Sequence, residues 1–200
     1  MKQIRLTIAM LAVAFTLTAA GSAAAQTSTV AGPVKIAKSA TKKVRIHTPV
    51  GTTLDISLID QAGTLLYAGT VKAKDLRGTS VNLANLPDGR YYLTATNNDL
   101  WMSQGLTVRN DQVVIDAQNV TEVVRPALVS YAKNKYEVAM PGVQSLTVAI
   151  YDRMNDLVFT KSFGSDGEVH RFDLSSLPSG DYTFVYGPEQ KQFTERVAIK

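Results

Sequence analysis

An all-β fold is predicted by three observations. Apolar residues alternate with polar ones at period two, most of the chain is one unit of about ninety residues written twice, and no long stretch of that repeated part shows a helical stripe. Short strands at this spacing point to two tandem antiparallel immunoglobulin-like β-sandwich domains, preceded by a cleaved signal peptide.

The leading segment comes first. Lys2 and Arg5 give a positive start, Leu6 to Ala20 run without a charge, and Ala23 and Ala25 supply the small residues of an A-x-A site. That is the layout of a secretory signal peptide over residues 1–25, cut between Ala25 and Gln26. A membrane anchor fits less well, because the uncharged stretch is short for a span and no positive flank follows it. Of the 200 residues and 21 basic side chains, cleavage leaves 175 and 19, so with 17 acidic residues the charge falls from +4 to +2. The expected product is exported to the periplasm, cell surface or medium, has no membrane span, and exerts no general pull on nucleic acid. Its densest basic stretch, Lys42-Lys43-Arg45, reads as a solvated strand edge.

The first repeat is assigned to residues 26–112 and the second to 113–200. Leu54, Ile56 and Leu58 alternate with Asp55 and Ser57, and Leu146, Val148 and Ile150 repeat the pattern ninety-two positions later. Leu65 and Tyr67 match Leu157 and Phe159, while Val81 and Leu83 match Phe172 and Leu174. Asp60-Gln61-Ala62-Gly63 and Met154-Asn155-Asp156 separate apolar runs as hairpin turns. Leu86-Pro87-Asp88-Gly89-Arg90-Tyr91 returns as Leu177-Pro178-Ser179-Gly180-Asp181-Tyr182. In this motif Leu86, Pro87, Gly89 and Tyr91, like Leu177, Pro178, Gly180 and Tyr182, read as a structural corner. Proline ends one segment, glycine permits the turn, and tyrosine opens the next strand with its ring inward and its hydroxyl at the rim. Met102, Leu106 and Val108 match Phe193, Val197 and Ile199 near the end of each copy. Val113-Val114-Ile115 either extend the first domain or lead into the second. Charges of +4 on 26–112 and −2 on 113–200 weakly favour contact between the copies.

The inventory of chemistry is thin. The absence of cysteine excludes a disulfide framework, a zinc-thiolate site, a cysteine nucleophile and a lipoprotein anchor. His47 and His170 fall into no metal-ligand spacing, and no nucleophile elbow, H-E-x-x-H or P-loop occurs. Asp152 with Asp156, and Asp166-Gly167-Glu168, are incomplete as calcium sites and read as turns. The expectation is no enzyme and no cofactor. Trp101, the only tryptophan, aligns with Gln192 and counts to the outward face. It serves either as a stacking surface for a glycan or peptide or as a contact between domains.

The C-terminal copy resembles the sorting domain of the type IX secretion system of Bacteroidetes. The matching residues are Leu174-Ser175-Ser176-Leu177-Pro178-Ser179-Gly180-Asp181-Tyr182, Ile150-Tyr151-Asp152 and the terminal Arg196-Val197-Ala198-Ile199-Lys200. The likeness spans roughly residues 130–200, and the first copy shares it over 42–109. The family's Asn-Pro start is missing, and another copy of the unit stands where a cargo domain usually precedes. The resemblance implies export across the inner membrane, outer-membrane passage directed by the last domain, and the secretion machinery as a partner. Together these readings give a non-enzymatic cell-envelope protein with a structural, adhesive or protein-interaction role. The alternative is a carbohydrate- or peptide-binding module that uses Trp101.

Overall fold

A computed structural model describes residues 34–140, 143–164 and 169–200, and these residues form strands joined by turns, with no helix. The signal-peptide site at Ala25 and Gln26, and Asp166-Gly167-Glu168, lie outside the described residues.

In the first sandwich, β1 (Lys35–Ala40), β2 (Lys43–His47) and β5 (Thr79–Asn82) form one sheet in the order β1-β2-β5. The facing sheet contains β3 (Thr53–Asp60), β4 (Leu65–Lys72), β6 (Gly89–Thr96), β7 (Leu100–Arg109) and β8 (Gln112–Val124), in the order β4-β3-β6-β7-β8. The second sandwich repeats this plan. β9 (Leu128–Ala132), β10 (Lys135–Ala139) and β13 (Val169–Asp173) make one sheet. β11 (Leu146–Tyr151), β12 (Leu157–Phe163), β14 (Gly180–Gly187) and β15 (Phe193–Ile199) make the other, in the order β12-β11-β14-β15. Every pairing is antiparallel. Strands β1 to β7 therefore correspond in order and in sheet partner to β9 to β15, and β8 is an addition. This is an immunoglobulin-like sandwich in which the fourth strand joins the third, instead of staying with the first two as in immunoglobulin constant domains.

Period-two alternation sets the inward faces. Leu54, Ile56 and Leu58 of β3 and Tyr91, Leu93 and Ala95 of β6 are buried with Val44 and Ile46 of the facing sheet. Leu146, Val148, Ile150, Tyr182, Phe184 and Tyr186 do the same against Val138 and Phe172. Even the irregularities repeat: the pairing slips at Leu58/Ile59 and again at Ile150/Tyr151, ninety-two positions on.

β8 connects the two cores. Val113 belongs to the first core and Val123 to the second. Residues 113–115 extend the first sandwich, pairing with β7 from Leu106 to Val108. The register then breaks: Leu106 faces Ile115 but Gln104 faces Val120, so residues 116–119 stand out as a bulge. Gln104, a buried polar residue, is the physical reason this bulge holds. Its Nε2 donates to Asp116 O at 2.6 Å, and Gly105 O and Asn119 O lie at 3.2 and 3.3 Å.

One expectation is corrected. Lys43 and Arg45 do not lie on a sheet edge, because β2 is the middle strand between β1 and β5. Lys42 in the preceding turn has a specific place. Its ammonium donates to Leu86 O at 3.1 Å and Ala84 O at 3.3 Å and pairs with Asp111 at 3.0 Å, bracing the loop before the corner.

Candidate functional site

The two corners are built alike. Tyr91 opens β6 and donates its hydroxyl proton to Pro87 O at 2.8 Å, and Tyr182 opens β14 and donates to Pro178 O at 2.9 Å. Leu86 N–H closes on Leu83 O, and Leu177 N–H on Leu174 O, both at 3.0 Å. This geometry is the tyrosine corner of immunoglobulin-like sandwiches, a packing device. The hairpin aspartates are also engaged in turns. Asp152 Oδ1 accepts the N–H groups of Met154 and Asp156 at 2.8 and 2.9 Å, and Asp60 Oδ1 accepts those of Ala62 and Thr64 at 2.9 and 2.8 Å. His47 ends β2, and His170 stacks on Phe163 with centroids 4.6 Å apart. Among the described residues no three His, Cys, Asp or Glu side chains converge as metal ligands, and no helix is long and apolar enough to cross a membrane.

A polar network lies where the sandwiches join. Arg125 follows β8, and its backbone N–H donates to Asp99 O at 2.7 Å. Its guanidinium reaches Asp99 Oδ1 at 3.4 Å, Thr194 O at 2.5 Å and Glu195 Oε2 at 3.6 Å, so one side chain bridges both repeats. The Tyr186 hydroxyl lies 3.1 Å from both Pro126 O and Glu195 Oε2. The neighbouring Tyr186 hydroxyl is the main cause that raises the Arg125 guanidinium above its ordinary value; burial opposes it, and Asp99 and Glu195 add to the rise. Burial in turn pushes the Tyr186 hydroxyl up. From the other side, Lys191 Nζ donates to Asn97 O at 2.6 Å and lies 3.3 Å from Thr96 Oγ1. Trp101, between Thr96 and Val123 in the pairing, is half-buried and packs against the second core. Its ring is therefore engaged in the contact between sandwiches.

Beside the junction, Glu122 and Glu189 line a cleft of about 410 Å³ together with Thr121, Val143 and Ser145. Glu122 Oε1 is buried with no hydrogen-bond partner among the described residues, and burial raises its carboxyl above the ordinary value. A second cleft, of about 650 Å³, lies on the second sandwich and is lined by Asp152, Arg153, Asp181, Thr183 and Arg196. Its charges are of both signs and no nucleophile–base pair stands among them.

A third cleft, of about 440 Å³, opens in the first sandwich between β4 and β5, lined by Leu58, Leu66, Tyr67, Val71, Val81 and Leu83. Its counterpart region in the second sandwich is filled by aromatic rings. Phe159, Phe163 and Phe172 replace Tyr67, Val71 and Val81, with Phe172 edge-on to the other two at 6.2 and 5.5 Å. Sequence reasoning passed over this cleft, Arg125, Gln104 and Lys191. The cleft had a signal in the repeat alignment, where three large rings are exchanged for one ring and two valines. Arg125 had none, because it lies between the copies and has no partner position to compare.

No protein-family model and no curated protein matches the chain. Among solved structures it is similar to a biofilm-associated protein's BSP domain at 18% identity and a TM-score of 0.29, covering 84% of this chain and 29% of that one. It is also similar to a two-domain fibronectin type III segment of chicken tenascin at 10% identity and a TM-score of 0.30, covering 82% of this chain and 97% of that one. The chain thus spans less than a third of the biofilm-associated chain's length.

Proposed function

We propose that this chain is a non-enzymatic, exported structural module of the bacterial cell envelope, in which two sandwiches act as one rigid unit that presents its surfaces to protein partners. The observation that carries this reading is the junction. A strand shared between the cores, together with Arg125, Lys191 and Trp101, removes the freedom that a flexible linker would give. Such a build suits a spacer or adhesive element, where position and stiffness are the output. Trp101 supports this reading better than glycan or peptide stacking, because its ring already packs on the second core.

The signal-like segment supports export, and the likeness of the second repeat to type IX sorting domains supports passage onward to the surface. The corner does not by itself separate a sorting domain from its neighbour, since both repeats build it. Fractionation of expressing cells with mass analysis of the chain tests the address: the expected product begins at Gln26 and lies outside the cytoplasm. A product that keeps residues 1–25 and stays in the cytoplasm contradicts export. For sorting, the truncation belongs after Val124, because removal from residue 113 also strips β8 from the first sheet. Retention in the periplasm without residues 125–200 is the expected result, and unchanged surface delivery sinks the sorting role.

A further inference from the structure

β4 is an edge strand without the protection that most of the other edges have. It pairs with β3 alone among the described residues, and from Leu65 to Val71 it contains neither a charge nor a proline. Leu65, Leu66 and Tyr67 are exposed on it. Its counterpart β12 has Lys161 where β4 has Gly69. Elsewhere, β1 has Lys35 and Lys38, β8 has Asp116 and Glu122, β15 has Glu195 and Arg196, and β5 is only four residues long. Charge and shortness are the usual means by which a free sheet edge avoids pairing with another molecule. β4 has neither.

We propose that β4 pairs antiparallel with β4 of a second copy of this chain, about a two-fold axis at Ala68, so that the two five-stranded sheets become continuous. A two-fold pairing across a continuous sheet places each residue opposite one on the same face. Centred on Ala68, it sets Tyr67 opposite the second copy's Gly69, Leu66 opposite its Thr70 and Leu65 opposite its Val71, while each Tyr67 ring lies over Gly69 of its own strand. The ends complement each other in charge. Asp60 lies at the hairpin end, while Lys72 and Lys74 lie at the far end. The pairing places Lys72 beside the second copy's Thr64 and Lys74 beside its Ala62, next to its Asp60, and symmetry repeats this contact. Centring the pair on Gly69 instead would set the apolar Leu66 opposite the charged Lys72.

Sedimentation equilibrium of the purified chain tests the proposal from about 1 to 100 µM. The parent is expected to show a monomer–dimer equilibrium in this range. Ala68→Lys sets two lysines opposite each other on the axis and is expected to be monomeric throughout, with an unchanged circular dichroism spectrum. The double variant Lys72→Glu/Lys74→Glu leaves the strand centre intact and is expected to weaken association about tenfold at low salt, with a smaller loss at high salt. A parent that remains monomeric at the top concentration overturns the proposal. So does Ala68→Lys dimerising as strongly as the parent, since the contact would then lie elsewhere.

Discussion

Tyr91 and Tyr182 stand in cores of different composition, one mainly aliphatic and one crowded with phenylalanine, yet each closes the same four-residue hydrogen bond to a proline carbonyl. The bond is part-buried, so its loss should exceed that of a solvated one. Tyr91→Phe and Tyr182→Phe keep the buried ring and delete only the hydroxyl, and each should cost about 1 kcal/mol. The check is a lower urea midpoint with an unchanged slope. Glu122 has the opposite character. Burial raises its carboxyl above 4.5, so the native state holds that proton more firmly than the unfolded chain does. The stability from this group is present in acid and lost as pH rises through the raised value. Glu122→Gln stays neutral at every pH, so it should be more stable than the parent at about pH 7 and converge with it near about pH 4. Thermal midpoints across that range provide the comparison. The corner was legible in the sequence because proline, glycine and tyrosine each have a local conformational reason to be there. Glu122 was not, because its burial depends on residues brought to it by the second sandwich.

At the scale of elements, β8 shows what a pattern of alternation can and cannot reveal. Val113 and Ile115 alternate as the rest of the first sandwich does, but the period fails over residues 116–119, where the strand bulges before Val123 reaches the second core. The expected boundary at 112/113 falls at the start of this strand, which stays in the first sheet as far as Val124, and its length was hidden by the bulge. Gln104 supplies the amide that the bulge carbonyls require. The aligned residue in the second repeat, Glu195, instead reaches Arg125 and Tyr186. Gln104→Leu should leave the part-buried carbonyls of Asp116 and Asn119 and the buried one of Gly105 without this donor and cost about 1 kcal/mol. Hydrogen exchange should rise first along β7 and β8, while β11 and β14 stay protected. Global loss of protection at equal rates in both sandwiches would show that the bulge is not a local feature. The strands themselves were easier to read. Period two, turn aspartates and the ninety-residue repeat are local signals, whereas the central place of β2 is set by its pairing with the distant β5.

In the whole molecule, the joint ties one sandwich to the other. Arg125 lies between Asp99 and Glu195, and Lys191 reaches the β6–β7 turn; both cations come from the half whose net charge is −2, so individual side chains and not the net charges of the halves make this contact. These partly exposed pairs contribute modestly each. The shared strand and the packing of Trp101 on the second core supply geometric constraint beside them. Nitrogen-15 relaxation of the amides in β3 and β6, compared with those in β11 and β14, tests this most directly. A rigid joint predicts one rotational correlation time for both sets in the parent chain, and separate values once Arg125→Ala, Lys191→Ala and Trp101→Ala are combined. Two distinct, shorter correlation times in the parent itself would contradict the account.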